Sequence, residues 1–244
     1  MTAVQCAERI LSSKRVAALT GAGISTAAGI SDFRGPNGLY VTRRYDPEAV
    51  FDIYAFRRNP LPFYDFTRDF LEVIRTTEPT LTHRFLADLE SDRKLTAVVT
   101  QNIDSLHQKA GSEAVVSVHG DYWTSHCLSC HAEFDLDYME QAAFAEEVPH
   151  CPCSGLIKPD VVFFGEPVYG LERAFAVAAG SDFLLVLGSS LNVYPTALLP
   201  EQAGGDVLVV NRGEVGLAPA ANHYFVDQDL DTFFGEVSIV LATS

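Results

Sequence analysis

Short apolar runs alternate with helix-like segments along most of this 244-residue chain, and this alternation constrains the fold more than any other feature. The runs are dominated by Val, Leu and Ala, as is typical of strands buried on both faces. The predicted strands are residues 16–20, 95–100, 115–119, 183–188, 207–211 and 223–226, and the predicted helices between them include residues 4–12, 79–90 and 171–179. This order indicates an α/β fold with a doubly wound parallel sheet, of Rossmann-like type.

Two segments interrupt the alternation and predict additions to the sheet domain. Residues 121–160 are polar, carry cysteines and histidines and contain a helical candidate at 137–147, which indicates a small inserted module. Residues 35–77 are rich in Phe, Tyr, Arg and Pro, with a predicted helix at 60–74, and are expected to form a helical lobe. The Rossmann-like domain would then consist of residues 1–34, 78–120 and 161–244.

A glycine turn follows the first predicted strand. Gly21-Ala22-Gly23 comes directly after residues 16–20, where missing side chains would let backbone N–H groups approach a pyrophosphate. The third glycine of the usual G-x-G-x-x-G spacing is missing, so on this segment alone a plain strand-to-helix turn is an equal alternative.

Polar residues follow two further predicted strands. Gln101, Asn102 and Asp104 come after residues 95–100, and His119 ends the strand at 115–119. Ligands of open parallel sheets bind outside the carboxyl ends of the strands, so these side chains are expected to share one site.

Four of the five cysteines form a cluster with metal-ligand spacing, Cys127-x-x-Cys130 and Cys151-x-Cys153. Four thiolates without an open position predict a structural zinc ion. A histidine close in sequence, His126, His131 or His150, could replace one sulfur, and unligated thiols are the alternative. Cys6 lies outside the cluster and is expected to be an ordinary buried helix residue.

The charge balance restricts the partners. With 17 Lys plus Arg against 32 Asp plus Glu, the net charge of −15 argues against binding to nucleic acid and suits a basic partner such as a lysine-bearing peptide. The sequence shows neither a membrane-spanning apolar run nor the uninterrupted apolar core of a signal peptide in its first 15 residues. We therefore expect a soluble cytoplasmic protein that does not bind membranes.

Ordered motifs through most of the chain resemble those of the sirtuins, the NAD-dependent protein lysine deacylases. These motifs are GAGIST at 21–26, DFRGPNGLY at 32–40, TQNIDSLHQKAG at 100–111, His119-Gly120, LIKPDVVFFGE at 156–166, GSSLNVYP at 188–195 and VVN at 209–211. The resemblance implies an NAD-dependent protein deacetylase of compact prokaryotic type, with NAD as co-substrate and one structural Zn²⁺. It also implies that residues 35–77 contain the mobile cofactor-binding loop.

The resemblance further implies roles for individual residues. The catalytic residues would be His119, Asn102 and Asp104. The NAD-binding residues would be Gly21, Ala22, Gly23, Asp32, Phe33, Arg34, Gln101, Asn102, Ile103, Asp104, Gly188, Ser189, Ser190, Asn211 and Arg212. The walls around the acylated lysine would be Phe33, Val162, Phe164, Gly165 and Val193, with residues 161–166 and 191–194 pairing with the peptide as extended segments.

In sirtuin chemistry nicotinamide leaves its ribose, the acyl oxygen attacks the sugar carbon, and a histidine accepts a proton from the ribose hydroxyl. His119 suits that general base, and the products are free lysine, nicotinamide and O-acetyl-ADP-ribose. Sirtuins that prefer succinyl-lysine carry Tyr-x-x-Arg in the small lobe, whereas here Thr67 follows Tyr64 at that spacing and Arg68 lies one residue later. We therefore expect acetyl or other neutral acyl groups.

Three other functions compete with this interpretation. Hydride transfer would fit a glycine turn after a strand, mono-ADP-ribosyl transfer to protein would use the same pocket, and an acyl-lysine or NAD sensor would need no base. The polar cluster around Asn102, Asp104 and His119 favours the deacetylase.

Overall fold

The structure is a computed structural model that describes residues 1–30 and 45–243, except the side chains of residues 47 and 48. The predicted site residues Asp32, Phe33 and Arg34 lie outside the described residues. The strands are β1 Val16–Thr20, β2 Leu95–Thr100, β3 Val115–Ser117, β4 Thr124–Cys127, β5 Glu133–Asp135, β6 Ile157–Pro159, β7 Phe183–Leu187, β8 Asp206–Val210 and β9 His223–Val226. The α-helices are α1 Ala3–Ser12, α2 Pro47–Val50, α3 Ile53–Arg58, α4 Leu61–Thr76, α5 Leu81–Ser91, α6 Leu106–Ala110, α7 Leu136–Ala145, α8 Leu171–Gly180 and α9 Leu230–Ala242, and short 3₁₀ segments occupy Ala22–Ala28 and Thr196–Gln202.

Six strands form one parallel sheet in the order β3-β2-β1-β7-β8-β9, which confirms the predicted α/β doubly wound fold. The strand order reverses between β1 and β7, so the crevice at this switch point is the expected place for a ligand. Strand β3 ends at Ser117, two residues before the predicted end, because the chain turns at Gly120 with a φ of +72°.

Helices cover both faces of this sheet. Val16 and Ala18 of β1 pack in a core with α1, α5 and α9, whereas Ala17 and Leu19 pack on the other face with α8. Every residue of β1 and β7 is buried, as predicted from their apolar composition. At about 25 cal/mol per Å² of apolar surface, burial of these side chains is the main source of stability of the domain.

Capping residues start the helices around the sheet. The Thr2 side chain accepts a hydrogen bond from the Gln5 amide and forms a capping box at α1, and Thr80 does the same with His83 at α5. Asp229 caps α9 by accepting from the Thr232 amide. Such caps satisfy free amides of the first turn and stabilise a helix by about 1 kcal/mol.

The helical lobe and the inserted module share a third core. Strands β4, β5 and β6 form a small antiparallel sheet in the order β5-β4-β6. Phe56 and Phe63 of the lobe pack edge-on against Phe163, with ring centroids 5.4 and 4.9 Å away, in a cluster that also contains Cys127 and Ile157. The two segments that were expected to be separate additions are therefore packed together.

No helix among residues 1–30 and 45–243 has both the length and the apolar character needed to cross a membrane.

Candidate active site

Two glycine-containing turns meet at the switch point of the sheet. The Gly21 amide donates to the Leu187 carbonyl over 3.0 Å, and the Gly23 amide donates to the Gly188 carbonyl over 2.9 Å. A β-carbon on Gly188 would lie 2.5 Å from the backbone nitrogen of Ile24, and one on Gly23 would lie 2.7 Å from the Gly188 Cα. Gly188 also has a φ of +62°, which favours glycine. The two turns can be this close only because both carry glycine.

The predicted phosphate-binding residues lie along these turns. Ala22 begins the 3₁₀ segment that follows β1, so the chain continues as a 3₁₀ helix where an α-helix is usual. Ser189 is 5% exposed, and its hydroxyl accepts from the Gln101 side-chain amide over 2.9 Å and from the Leu191 amide over 3.3 Å. Ser190 is partly buried, and its carbonyl accepts from the Gly216 amide over 2.8 Å.

A buried polar cluster follows β1 and β2. The Ser25 hydroxyl donates to Asp104 Oδ2 over 2.6 Å, and Asn102 Nδ2 donates to the same hydroxyl over 3.2 Å. The other carboxylate oxygen of Asp104 accepts from the Leu106 amide over 3.0 Å, so Asp104 also helps to start α6. Burial raises the pKa of Asp104, and the hydrogen bond from Ser25 opposes this shift. Ile103 is partly buried between the two polar residues and packs against the shared core.

His119 lies next to this cluster with a defined tautomer. Its Nδ1 lies 2.9 Å from the Gln101 carbonyl oxygen. Because a carbonyl can only accept, Nδ1 carries the proton and Nε2 is left as the basic nitrogen. Burial lowers the pKa of His119, and the hydrogen bond to Gln101 opposes this shift. The imidazole is therefore neutral near pH 7 and able to accept a proton.

Gln101 forms hydrogen bonds both to His119 and to Ser189 in the turn that follows β7. Its backbone carbonyl binds His119, and its side chain donates to Ser189 and accepts from the Thr196 hydroxyl over 3.4 Å. Thr196 is fully buried and was not identified from the sequence. Ser25 was present in a quoted motif but had no role assigned, because its partner Asp104 lies 79 residues later.

A cavity of about 130 Å³ opens at the ends of β8 and β9. It is lined by Val209, Asn211, Gly213, Val215, Phe225, Val226 and Asp227. Asn211 Nδ2 donates to the Arg212 carbonyl over 3.0 Å, and the exposed Arg212 guanidinium lies 3.5 Å from the Asp229 carboxylate. Asn211 and Arg212 therefore lie at the same sheet edge as the glycine turns, two strands beyond β1.

The predicted acyl-lysine residues other than Phe33, which lies outside the described residues, belong to two segments, of which the one with Val162 is hydrogen-bonded to His119. The Val162 amide donates to the His119 carbonyl over 2.8 Å, and Phe164 is 54% exposed. Gly165 has a φ of +91°, and Val193 is partly buried, with its carbonyl accepting from the Thr196 hydroxyl over 2.9 Å. Leu191 has a φ of +54°, so residues 191–194 are not extended throughout, contrary to expectation.

The four clustered cysteines come together in the inserted module. The sulfurs of Cys127, Cys130, Cys151 and Cys153 lie within 4.8 Å of one another, and they form the one candidate metal-binding group found among the described residues. The distance from Cys127 Sγ to Cys153 Sγ is 3.5 Å, close to the edge of about 3.8 Å expected for a tetrahedron with zinc–sulfur bonds of about 2.3 Å.

The backbone favours the thiolate at Cys127, and the candidate metal-binding group contains four cysteines and no histidine. The Cys130 amide donates to Cys127 Sγ over 3.4 Å and is the main cause of a lowered Cys127 pKa, about 6. His126 instead places its Nδ1 2.8 Å from the Asp160 carboxylate. All four sulfurs are free thiols, so the chemistry and geometry fit a structural zinc ion.

Known proteins share both this sequence and this fold. A model of the Sir2 family matches residues 21–195. An NAD-dependent protein deacetylase of Sulfolobus acidocaldarius is 43% identical over 216 residues, which cover 87% of this chain and 84% of the relative. An NAD-dependent protein deacetylase of Thermotoga maritima is 42% identical over 208 residues, which cover 83% of each chain. An NAD-dependent protein deacylase of Pyrococcus abyssi is 38% identical over 232 residues, or 91% of each.

Solved structures agree with these relatives. A Sir2 structure with a p53 peptide and NAD+ superposes with a TM-score of 0.90 at 36% identity, covering 100% of both chains. A structure of Sir2Tm bound to a propionylated peptide superposes with a TM-score of 0.88 at 34% identity, also over 100% of both chains. With the matched motifs, the parallel sheet and the thiol cluster, these likenesses establish that the chain belongs to the Sir2 family.

Proposed function

We propose that this protein is an NAD-dependent protein lysine deacetylase that converts an acetyl-lysine protein or peptide and NAD into free lysine, nicotinamide and O-acetyl-ADP-ribose. The observation that carries the proposal is the arrangement of His119, Asn102 and Asp104 at one edge of the sheet, next to the glycine turns at the switch point. Relatives that are about 40% identical over most of the chain carry the same activity in their names.

The chain's own groups have distinct roles in this reaction. NAD supplies the ribose that accepts the acyl group. Asn102 and Asp104 would bind its nicotinamide half, and His119 Nε2 would accept the proton of the ribose hydroxyl. Gln101 holds the imidazole by its backbone and Ser189 by its side chain, so it would fix the base relative to the phosphate-binding turn.

The remaining parts of the proposal follow from the other predicted residues. Gly188, Ser190, Asn211 and Arg212 would bind the phosphates and the adenosine, and the cavity at the ends of β8 and β9 supports this assignment. The thiol cluster would hold its zinc ion away from the reacting atoms, in a structural role. We also place the protein in the cytoplasm, since closely spaced free thiols are typical of a reducing compartment.

The acyl preference is supported by three residues of α4. The Tyr64 hydroxyl donates to the Ile157 carbonyl, and Thr67 Oγ1 lies 3.2 Å from the Tyr122 hydroxyl. The Arg68 guanidinium donates to the Ala143 carbonyl over 3.1 Å, so it is directed at the inserted module. At the Tyr-x-x-Arg spacing from Tyr64 this helix would therefore offer a succinyl carboxylate the hydroxyl of Thr67 in place of a cation. We therefore propose acetyl and other neutral acyl groups as substrates.

The test is mass spectrometry of acetyl-lysine and succinyl-lysine peptides incubated with the protein, with and without NAD. We expect NAD-dependent loss of acetyl with formation of O-acetyl-ADP-ribose, and little loss of succinyl. His119→Ala should abolish the reaction, whereas His150→Ala, which removes an exposed imidazole outside the thiol cluster, should leave it intact.

Other outcomes would assign a different activity. ADP-ribose attached to protein in place of free O-acetyl-ADP-ribose would indicate mono-ADP-ribosyl transfer. NAD binding with no product from any acyl peptide would indicate a sensor. Efficient removal of succinyl would contradict the argument from Thr67 and Arg68.

A further inference from the structure

Lys158 on β6 is a lysine in an unusual place, because its side chain is only 5% exposed. Its Nζ lies 2.9 Å from Glu166 Oε2 and donates to the Val161 carbonyl over 2.6 Å. The ammonium also lies 4.0 Å from the centroid of the Phe163 ring. A buried ammonium needs such partners, since lysine is almost never buried unpaired.

Glu166 completes the arrangement from the other end of the segment. The carboxylate oxygen that pairs with Lys158 also accepts from the Phe163 amide over 2.9 Å. The Lys158–Glu166 pair therefore forms hydrogen bonds to the Val161 carbonyl and the Phe163 amide, which lie between the two residues in the sequence. Neither backbone group belongs to a strand of either sheet.

Val162 and Phe164, which alternate with Val161 and Phe163 along the segment, form hydrogen bonds to other parts of the molecule. The Val162 amide donates to the His119 carbonyl, and the Phe164 amide donates to the Phe51 carbonyl over 2.7 Å. The Ile53 amide donates in turn to the Phe164 carbonyl over 3.2 Å. Residues 161–164 are thus hydrogen-bonded to the Lys158–Glu166 pair on one side and to His119 and the helical lobe on the other. Val162 and Phe164, the residues proposed to contact the acyl-lysine, lie within this segment.

The Lys158–Glu166 pair adds little net stability, so its main effect is on the conformation of residues 161–166. Burial lowers the pKa of Lys158, and Glu166 opposes the shift, so desolvation offsets part of the attraction between the two charges. An apolar residue of similar length would fill the same volume. It would leave the Val161 carbonyl and the Glu166 carboxylate without the ammonium, and the segment without its inner attachment.

We propose that Lys158 and Glu166 are positioning residues that hold residues 161–166 in the shape that binds the acylated lysine. Loss of the pair should then weaken binding of the acyl peptide and leave binding of NAD unchanged. The expected change in KM rests on the proposed deacetylase function. The expected change in hydrogen exchange of the Phe163 amide can be measured without turnover.

The experiment compares Lys158→Met, which keeps the stem and removes the ammonium, with Lys158→Arg, which restores a cation. Glu166→Gln removes the charge but keeps an oxygen for the Phe163 amide. Lys109→Met is the matched control, because Lys109 forms a 2.9 Å pair with Glu78 on the exposed surface. For each variant we would measure KM for acetyl-peptide and for NAD, affinity for a fluorescent acetyl-peptide, and hydrogen exchange of the Phe163 amide.

We expect Lys158→Met to raise KM for peptide and the peptide Kd at least about tenfold, with KM for NAD changed less than about twofold. Exchange of the Phe163 amide should quicken by at least about tenfold. Lys158→Arg should recover most of both effects, Glu166→Gln should show a smaller loss in the same direction, and Lys109→Met should show none.

Two results would overturn the inference: equal increases in KM for peptide and NAD, or unchanged peptide affinity with unchanged exchange at Phe163. If Lys158→Met does not fold, the same criteria apply to Glu166→Gln. A wild-type protein that neither binds nor deacetylates the peptide would refute the proposed function instead, and the exchange at Phe163 would still decide whether the pair holds the segment.

Discussion

The Ser25 hydroxyl donates a 2.6 Å hydrogen bond to the Asp104 carboxylate, joining residues that lie 79 positions apart on the segments that follow the neighbouring strands β1 and β2. Burial raises the pKa of Asp104, and this bond opposes the shift. The serine therefore helps to keep a buried carboxylate ionised at the place proposed for the nicotinamide half of NAD.

Removal of that hydroxyl should impair the use of NAD. Ser25→Ala would leave the Asp104 carboxylate short of a donor, and a hydrogen bond to a charged group contributes about 1.5–3 kcal/mol. We expect kcat/KM for NAD to fall by about 10- to 100-fold. Thr26→Ala, at the exposed next position of the same 3₁₀ segment, should change it little. Equal effects of the two variants in steady-state kinetics would contradict the role of Ser25.

The pH dependence of the reaction should reflect the burial of His119. Burial lowers the pKa of this imidazole below its usual 6.5, so the neutral, basic form persists into more acidic solution. We expect kcat/KM for acetyl-peptide to be constant near pH 7 and to fall only below pH 6.5. An acid limb centred above 6.5 would mean that His119 is stabilised as the cation and is not the free base described here.

Alanine at Gly188 should separate the two glycine turns. Its β-carbon would lie 2.5 Å from the Ile24 nitrogen, in a backbone with a φ of +62°. We expect a lower melting temperature and an affinity for NAD reduced by at least about tenfold, measured by calorimetry. Gly180→Ala is the matched control, because a β-carbon there meets no atom within 4 Å. Wild-type affinity in Gly188→Ala would show that the close approach of the turns is dispensable.

Zinc removal should affect the active site through the shared core. Cys127 and Cys151 lie in the same hydrophobic cluster as Ile157 and Phe163, close to the segment proposed to bind the acyl-lysine. We expect about one zinc per chain by atomic emission, lost in Cys127→Ser together with most of the deacetylase activity. Cys6→Ala, in the core of the sheet domain, should keep its zinc. Full activity in the zinc-free variant would contradict this coupling.

Acid should destabilise the fold through two buried histidines whose rings lie in contact at an angle of 58°. His83 and His107 are buried with ring centroids 4.7 Å apart, and burial lowers the pKa of His83 to about 4 and that of His107 well below its usual value. Because the folded-state pKa is lowered, this stability is fully present above pH 6.5 and is lost as the pH falls toward 4.

For His83 the loss amounts to about 3 kcal/mol. Urea unfolding at several pH values would measure it. The variant His83→Gln does not titrate and should show a shallower decline than the wild type. Parallel curves for the two proteins would mean that His83 carries no acid-linked stability.

Much of the architecture follows from the sequence. The apolar runs predicted β1, β2, β7, β8 and β9 to within one residue at each end, because strands of apolar residues have a local signature. The end of β3 differed from prediction by two residues, since the chain turns at Gly120 with a φ of +72°. The prediction of an extended segment at 191–194 was also wrong. Leu191 has a left-handed backbone conformation, which a leucine in the sequence does not indicate.

The sequence by itself therefore determined the fold class, the glycine turns, the spacing of the thiols and the residue types available for chemistry, because each of these depends on neighbours along the chain. Only the tertiary structure decided which side chains meet: Ser25 with Asp104, Gln101 with His119, and Lys158 with Glu166 around a segment packed on the helical lobe. The helical lobe and the zinc module likewise proved to share one core. Such contacts depend on how whole elements pack, since burial and hydrogen bonding act between groups that are close in space and distant in sequence.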